Sequence, residues 1–296
     1  MNVTSVRSLA EAYGVLARKP PGLRVLAGGT DLMVQINARV GIEGIRHVLD
    51  IWRLGELRGI TLASASGSGP SPAEPAPPLR DGMLRLGALT TYSELMRSPL
   101  VREKLPALAL VSREVGAWAI QNRGTIGGNV CNASPAGDTL PLLIAADARF
   151  VLGGPRGERT VAADAFFVGY RKTAMDADEL LLRVDVPVLG RLVYRKVGTR
   201  RAQSISKTLI AVRARAREGL LFDVRVGAGC VAPVPLRCRT AEAALEGKAL
   251  DEAALAAARA GLDADIVPID DVRSTAVYRR RVSGIVLERL VRSLSP

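Results

Sequence analysis

Two glycine pairs, each beside a threonine, constrain this chain more than any other feature. The first is Gly28-Gly29-Thr30-Asp31, between a short apolar stretch and a helical pattern; the second lies in TIGGNVCNASPAGD, residues 125–138. Because glycine has no Cβ, its backbone N–H can approach a ligand closely, and consecutive free N–H groups form a concavity that binds anions. The first pair alone is also typical of an ordinary strand-to-helix turn. Together the pairs predict two backbone turns that face a phosphate.

The second stretch adds a carboxylate. Asp138 ends a turn that begins at Ser134, and the apolar run from Leu140 to Ala146 indicates a buried helix after it. The stretch thus offers phosphate donors at one end and a carboxylate that accepts from hydroxyls at the other. A nucleotide with a sugar-like chain requires both, so we expect such a cofactor here.

Composition narrows the class of protein. With 296 residues, 48% of them apolar, the chain can bury the cores of two or three domains. No apolar run approaches the length of a membrane span, and the N-terminus lacks the layout of a signal peptide. Cys131, Cys230 and Cys238 match no iron–sulfur or zinc spacing and are typical of a reducing compartment, and His47 is the only histidine. We expect a cytoplasmic protein that ligates no metal.

The net charge of +12 does not by itself indicate nucleic-acid binding. Six of the 41 basic residues are lysines, and the rest are arginines scattered along the chain. Aromatic residues make up 4% of the chain, and no DNA- or RNA-binding motif occurs. The arginine excess reflects either genome composition or a basic surface that faces a partner.

One further glycine motif is rejected as a nucleotide site. Residues 227–232, GAGCVA, have the spacing GxGxxA after a predicted strand, but a dinucleotide-binding fold needs a helix next. Pro233 and Pro235 follow instead, so we expect a strand that ends in a turn. The chain has no Walker A string, and a Ser–His–Asp set would have to use His47.

Hydrophobic periodicity and turn residues predict a mixture of helices and strands. A helix is predicted over 4–17, with Thr4 or Ser5 as its N-cap, and a hairpin that pairs 57–63 with 84–88. Residues 63–82, rich in Pro, Ser, Ala and Gly, predict a surface loop. Strands are also predicted at 23–27 and 46–51, around a helix at 31–40.

Pro187 and Gly190 mark the predicted boundary of a second domain. The remaining third of the chain predicts a small α+β domain. Its predicted strands are 192–197, 206–217 and 220–228, and its predicted helices are 240–247, 251–261 and 274–294.

Several strings together resemble one known family. They are LAGGTDLM (26–33), LRLGALTTYSEL (84–95), NRGTIGGNVCNASPAGDTLP (122–141), residues 166–182, VGAGCVAPVPLR (226–237) and DVRSTAVYRRRV (271–282). The chain resembles, over nearly its whole length, the FAD-binding middle subunit of the molybdenum hydroxylases, the family of xanthine dehydrogenase and carbon monoxide dehydrogenase. Relatives that resemble 4-hydroxybenzoyl-CoA reductase carry a cysteine-rich iron–sulfur loop, which this chain lacks.

The resemblance implies a fold and a division into domains. It implies an α+β (mixed α/β) protein with an FAD-binding domain at 1–187, in subdomains of about 1–55 and 56–187, and a C-terminal flavoprotein domain at 188–296. FAD would lie between the two subdomains.

The resemblance also implies site residues. Residues 25–32 and 125–129 would hold the pyrophosphate region by backbone N–H groups and threonine hydroxyls, and Asp138 would bind hydroxyls of the flavin chain. Leu181 and Lys196 would lie near the flavin, although core packing and a surface strand position are their alternatives. Tyr194 shares the strand face of Lys196 and would flank the isoalloxazine ring. The implied cofactor-binding residues are Val25, Leu26, Ala27, Gly28, Gly29, Thr30, Asp31, Leu32, Thr125, Ile126, Gly127, Gly128, Asn129, Asp138, Leu181, Tyr194 and Lys196.

The implied function is electron transfer, with no catalytic residue in this chain. A molybdopterin-binding large subunit would oxidise the substrate, and a small subunit with 2Fe-2S clusters would pass the electrons to FAD here. NAD, a quinone or oxygen would accept them. The alternatives are a stand-alone FAD-dependent oxidase and a flavin-free scaffold subunit.

Overall fold

The computed structural model of the chain describes residues 1–63, 82–200 and 203–294. It confirms a mixed α/β fold. The predicted loop at 63–82 lies outside the described residues, apart from Ala63 and Gly82 at its ends. None of the helices in the described ranges is long and apolar enough to cross a membrane.

A small parallel sheet forms the N-terminal part. Its elements are β1 (Asn2–Ser5), α1 (Leu9–Ala17), β2 (Leu23–Leu26), α2 (Leu32–Ala38) and β3 (His47–Asp50), with β3 in the centre. The predicted helix over 4–17 is wrong at its start, because Thr4 and Ser5 pair with β3. The N-cap is Ser8, whose hydroxyl accepts from the N–H of Glu11. Ser and Thr both favour the N-cap position, so Thr4, Ser5 and Ser8 all suit it locally. Pairing with β3 places Thr4 and Ser5 in a strand and leaves Ser8 as the cap.

A five-stranded sheet with helices on it forms the middle part. After a 3-10 turn at Gly55–Leu57, its elements are β4 (Ile60–Ala63), β5 (Met83–Gly87), α3 (Tyr92–Arg97), α4 (Pro99–Lys104), α5 (Pro106–Ser112), α6 (Trp118–Gln121), α7 (Ile126–Asn132), α8 (Leu140–Ala145), β6 (Arg149–Gly154), β7 (Gly157–Ala162), α9 (Ala163–Phe166), β8 (Phe167–Gly169), β9 (Lys172–Thr173) and β10 (Leu180–Pro187). The sheet order is β4-β5-β10-β6-β7. The predicted hairpin is confirmed, with Ile60 opposite Leu86 in an antiparallel pair.

The C-terminal part is an antiparallel sheet covered by three helices. Its elements are β11 (Arg191–Val197), β12 (Thr208–Arg217), β13 (Leu220–Gly229), β14 (Leu236–Arg237), α10 (Arg239–Leu245), β15 (Lys248–Ala249), α11 (Glu252–Asp265) and α12 (Ala276–Leu294). Successive residues of β12 alternate between two cores, because strand side chains point to opposite faces. Ile210 and Val212 pack with the C-terminal helices, whereas Leu209 and Ala211 pack with the middle part. The predicted domain boundary falls between β10 and β11, and the division into domains stays a prediction.

The rejected GxGxxA motif has a packing role. No helix begins between β13 and β14, as predicted. A Cβ on Gly227 would lie 2.0 Å from the carbonyl oxygen of Pro141, and one on Gly229 would lie 2.7 Å from the Pro141 ring. These glycines therefore let α8 lie directly on β13.

Asp147 joins the middle part to the C-terminal sheet. It follows α8 and takes a left-handed φ of 53°. Its carboxylate accepts from Arg213 Nη2 at 2.7 Å and from Arg225 Nε at 3.0 Å, and Arg237 Nη1 lies 3.6 Å away. Three arginines of the C-terminal sheet thus converge on one carboxylate of the preceding part.

Candidate FAD-binding site

The loop between β2 and α2 presents a row of backbone N–H donors. Among the described residues, none accepts a hydrogen bond from the backbone N–H of Gly28, Gly29, Thr30, Asp31 or Leu32. Gly29 has φ +77°, a left-handed conformation that glycine adopts without strain. Backbone donors without partners in a glycine turn suit an anion. Asp31 occupies the N-cap position of α2 but makes no capping hydrogen bond, and its carboxylate accepts from Gln35 Nε2.

The second glycine pair does not form a cradle of free N–H groups, so that part of the prediction is wrong. Residues 126–132 form α7, and Thr125 is its N-cap, with its hydroxyl accepting from Gly128 N at 3.0 Å. The N–H of Ile126 donates to Thr90 O, that of Gly127 to Ala88 O and that of Asn129 to Thr125 O. Contact between this segment and a cofactor stays a prediction, but it would have to use side chains or the Thr125 N–H.

The glycine at position 127 is required by packing. A Cβ there would lie 2.6 Å from the carbonyl oxygen of Ala88. Close backbone approach is therefore real at this position, as the sequence indicates, but the approaching group is another part of the chain.

The two glycine stretches meet in space. A Cβ on Gly28 would lie 1.7 Å from the carbonyl oxygen of Arg123, and one on Gly124 would lie 3.4 Å from the Thr30 hydroxyl. The first loop thus rests directly on the backbone that leads into α7. Distant parts of the sequence form one continuous wall here.

A stack of Arg58, Trp52 and Arg123 stands beside this wall, and sequence reasoning missed it. The Cζ atoms of Arg58 and Arg123 lie 4.4 and 3.9 Å from the centre of the Trp52 ring. Arg123 is part of the string NRGT, but nothing local connects it with Trp52, so only the folded chain reveals the stack.

Asp138 and Lys196 form an ion pair. Lys196 Nζ lies 2.7 Å from Asp138 Oδ2, and Ser206 donates to Oδ1 at 2.7 Å. The Lys196 side chain is only 4% exposed and that of Asp138 is 12% exposed, so the alternative of a surface lysine is wrong. Burial raises the pKa of the Asp138 carboxyl, while Lys196 and Ser206 oppose that rise. Lys196 also donates to the carbonyl of Glu114 at 3.2 Å.

Tyr194 lies on the same strand face as Lys196, two residues earlier on β11. Burial, with the neighbouring Glu114 carboxylate as a second cause, raises the pKa of its hydroxyl. Tyr194 is among the residues that line a cavity of about 530 Å³ between β11 and the junction of α4 with α5. Its place beside an isoalloxazine ring stays a prediction.

The remaining implied residues lie in the core, along the segment from β2 to α2, and beside Asp138. Leu181 is buried in the core opposite Leu152, which favours its packing alternative. Val25 and Leu26 belong to β2, Ala27 begins the loop and Leu32 begins α2. Asn129 accepts from the Thr139 hydroxyl at 2.9 Å, which holds it next to the Asp138 segment.

We expect Asp138→Ala to lower the affinity for FAD about 10- to 100-fold. Hydrogen bonds that ligand hydroxyls donate to one carboxylate contribute about 1.5–3 kcal/mol, and Lys196 would lose its partner as well. Titration of the flavin-free chain measures this. Asp263→Ala, which removes an exposed carboxylate paired with Arg280, is the control that should leave the affinity unchanged. Equal affinities in both variants would make Asp138 purely structural.

Comparisons with known proteins agree on a single family. Residues 74–189 match the FAD binding domain in molybdopterin dehydrogenase, and residues 193–294 match the CO dehydrogenase flavoprotein C-terminal domain. The chain is 30% identical over 288 residues to the xanthine dehydrogenase FAD-binding subunit of Escherichia coli O157:H7, covering 96% of this chain and 92% of that one. It is 31% identical to the carbon monoxide dehydrogenase medium chain of Hydrogenophaga pseudoflava, covering 96% and 93%.

A solved structure also resembles this chain in both fold and sequence. It is carbon monoxide dehydrogenase from Hydrogenophaga pseudoflava, lacking the Mo-pyranopterin moiety of its cofactor. The match has a TM-score of 0.89 and 31% identity, and it covers 100% of this chain and 98% of the other.

Proposed function

The chain belongs to the FAD-binding medium subunits of the molybdenum hydroxylase family, and from this membership we propose that it is the electron-transfer subunit of a multi-subunit dehydrogenase. It is thus a subunit of an oxidoreductase of the xanthine and carbon monoxide dehydrogenase type. When bound, FAD supplies the redox chemistry, and the protein supplies binding and orientation.

One observation carries the proposal. The N–H groups of Gly28–Leu32 have no acceptor among the described residues, and Gly28 holds their loop against the backbone of Arg123. This donor set fits the diphosphate of a dinucleotide. The ion pair of Asp138 with Lys196, supported by Ser206, fits the polar chain and the flavin end.

We propose the partners from the same membership. Electrons would come from 2Fe-2S clusters of a small subunit, which receive them from a molybdopterin-binding large subunit, and would leave to NAD, a quinone or oxygen. The net charge of +12 supports a docking surface for such a subunit. The free thiols of Cys131, Cys230 and Cys238 support a cytoplasmic location.

We expect the purified chain to bind FAD non-covalently and about 10- to 100-fold more tightly than FMN. FMN lacks the AMP half and hence the diphosphate, whose charge-assisted hydrogen bonds account for that factor. Titration of the flavin-free chain with both flavins measures it. A chain that takes up neither flavin would favour the flavin-free scaffold.

A separate experiment tests whether substrate oxidation requires the partner subunits. The flavin of the isolated chain should be reduced by an artificial donor but not by purines or aldehydes, and substrate-dependent reduction should appear only with the small and large subunits added. Turnover of substrate with oxygen by the lone chain would establish the stand-alone oxidase instead.

A further inference from the structure

The two arginines that flank Trp52 have different environments. Arg58 is fixed by the backbone, since its Nη2 donates to Trp52 O at 2.9 Å and its Nη1 to Leu89 O at 3.3 Å. Among the described residues, the Arg123 guanidinium makes one hydrogen bond, a long one from Nε to Gly28 O at 3.5 Å. Its Nη1 and Nη2 have no acceptor among the described residues. Arg123 is thus held by stacking while its terminal nitrogens stay available.

No carboxylate of the described residues neutralises the two stacked arginines. Within the described ranges, neither Arg58 nor Arg123 forms an ion pair with a carboxylate. Asp50, close by in sequence, already accepts from the Ser5 hydroxyl and from Trp52 N. Two like charges on one indole repel each other, and an anion is what would neutralise them.

The Arg123 guanidinium and the backbone N–H groups of Gly28–Leu32 are two independent sets of donors that lie next to each other. The carbonyl of Arg123 touches the Gly28 position, so the cation belongs to the same wall as the unpaired N–H groups of Gly28–Leu32. A planar guanidinium suits a phosphate because it can donate two parallel hydrogen bonds. Stacking on Trp52 fixes that plane before a ligand arrives.

We propose that Arg123, oriented by Trp52, is the cation that binds the diphosphate of the dinucleotide, together with the N–H groups of Gly28–Leu32. This inference rests on the proposed function and adds the charged group that its donor set lacked. Arg58 holds Trp52 in place and does not contact the ligand.

The test compares Arg123→Gln and Arg123→Lys with one control, all made in the whole chain. Arg53→Gln, the control, removes an exposed charge next to Trp52 in sequence. Affinity for FAD is measured at several salt concentrations. Inorganic pyrophosphate is a flavin-free probe, followed by the emission of Trp52 in a Trp118→Phe background, since the chain has two tryptophans.

We expect Arg123→Gln to weaken FAD and pyrophosphate about 10- to 100-fold and to flatten the salt dependence. Arg123→Lys should restore part of the loss, and the Arg53→Gln control should stay within about threefold, as for a substitution that touches no ligand. Unchanged affinity in Arg123→Gln, or an equal loss in Arg53→Gln, would overturn the inference while FAD binding itself stands. Arg123-dependent binding of pyrophosphate without any FAD binding would overturn the proposed function instead.

Discussion

Gly28→Ala is expected to lower the affinity for FAD about 10- to 100-fold. A Cβ at this position would lie 1.7 Å from the carbonyl oxygen of Arg123, so the loop must move away from the backbone on which it rests. Overpacking of this kind costs about 1–3 kcal/mol. Because no flexible side chain can move aside, the displacement falls on the N–H groups of Gly28–Leu32. Titration of the flavin-free variant with FAD measures the loss.

Gly14→Ala is the matched control. Gly14 lies inside α1, and a Cβ there meets nothing within 4 Å. Alanine should leave the FAD affinity unchanged and raise stability by up to about 1 kcal/mol, because it favours the helix. Circular dichroism of both flavin-free variants separates a moved loop from an unfolded chain. A folded Gly28→Ala chain with full affinity would remove this loop from the site.

Asp147→Ala is expected to lower the free energy of unfolding by about 2–3 kcal/mol. Arg213 is 1% exposed and would lose its 2.7 Å partner. Breaking a buried pair costs about 3–5 kcal/mol, and we expect less because Asp147 is 33% exposed and Asp223 still lies 3.1 Å from Arg213. Urea denaturation of the flavin-free chain measures the change.

The control for Asp147 is the exposed pair of Asp263 with Arg280. The Asp263 side chain is 59% exposed, and such pairs contribute at most about 1 kcal/mol. If Asp147→Ala and Asp263→Ala cost the same small amount, Asp147 does not hold the two parts of the chain together.

Local patterns predicted the elements whose partners are close in sequence. The hairpin of β4 with β5 and the strands β11 to β13 follow from apolar alternation and nearby turn residues. The start of α1 was wrong because Thr4 and Ser5 suit either an N-cap or a strand, and pairing with β3 decides.

For the candidate site, the sequence indicates which residues to consider but not which contacts they make. Glycine at 127 indicates a close approach, but the sequence cannot show that Ala88 O is the approaching group. The resemblance placed Asp138 and Lys196 near one ligand, yet their direct contact joins residues 58 positions apart. Arg123 and Trp52 carry no shared local signal, so their stack needed the folded chain.

The contacts of Lys196 couple the C-terminal sheet thermodynamically to the part of the chain that precedes it. The residue belongs to β11 of the C-terminal sheet, but its ammonium ends on Asp138 and on the carbonyl of Glu114 in the preceding part. The affinity of a ligand that binds Asp138 therefore depends on the position of the C-terminal sheet, which carries Lys196. By reciprocity, the same ligand strengthens the hold of that sheet on the rest of the chain by an equal free energy. If the flavin binds Asp138 in this way, its loss would loosen the hold of the C-terminal sheet on the preceding part.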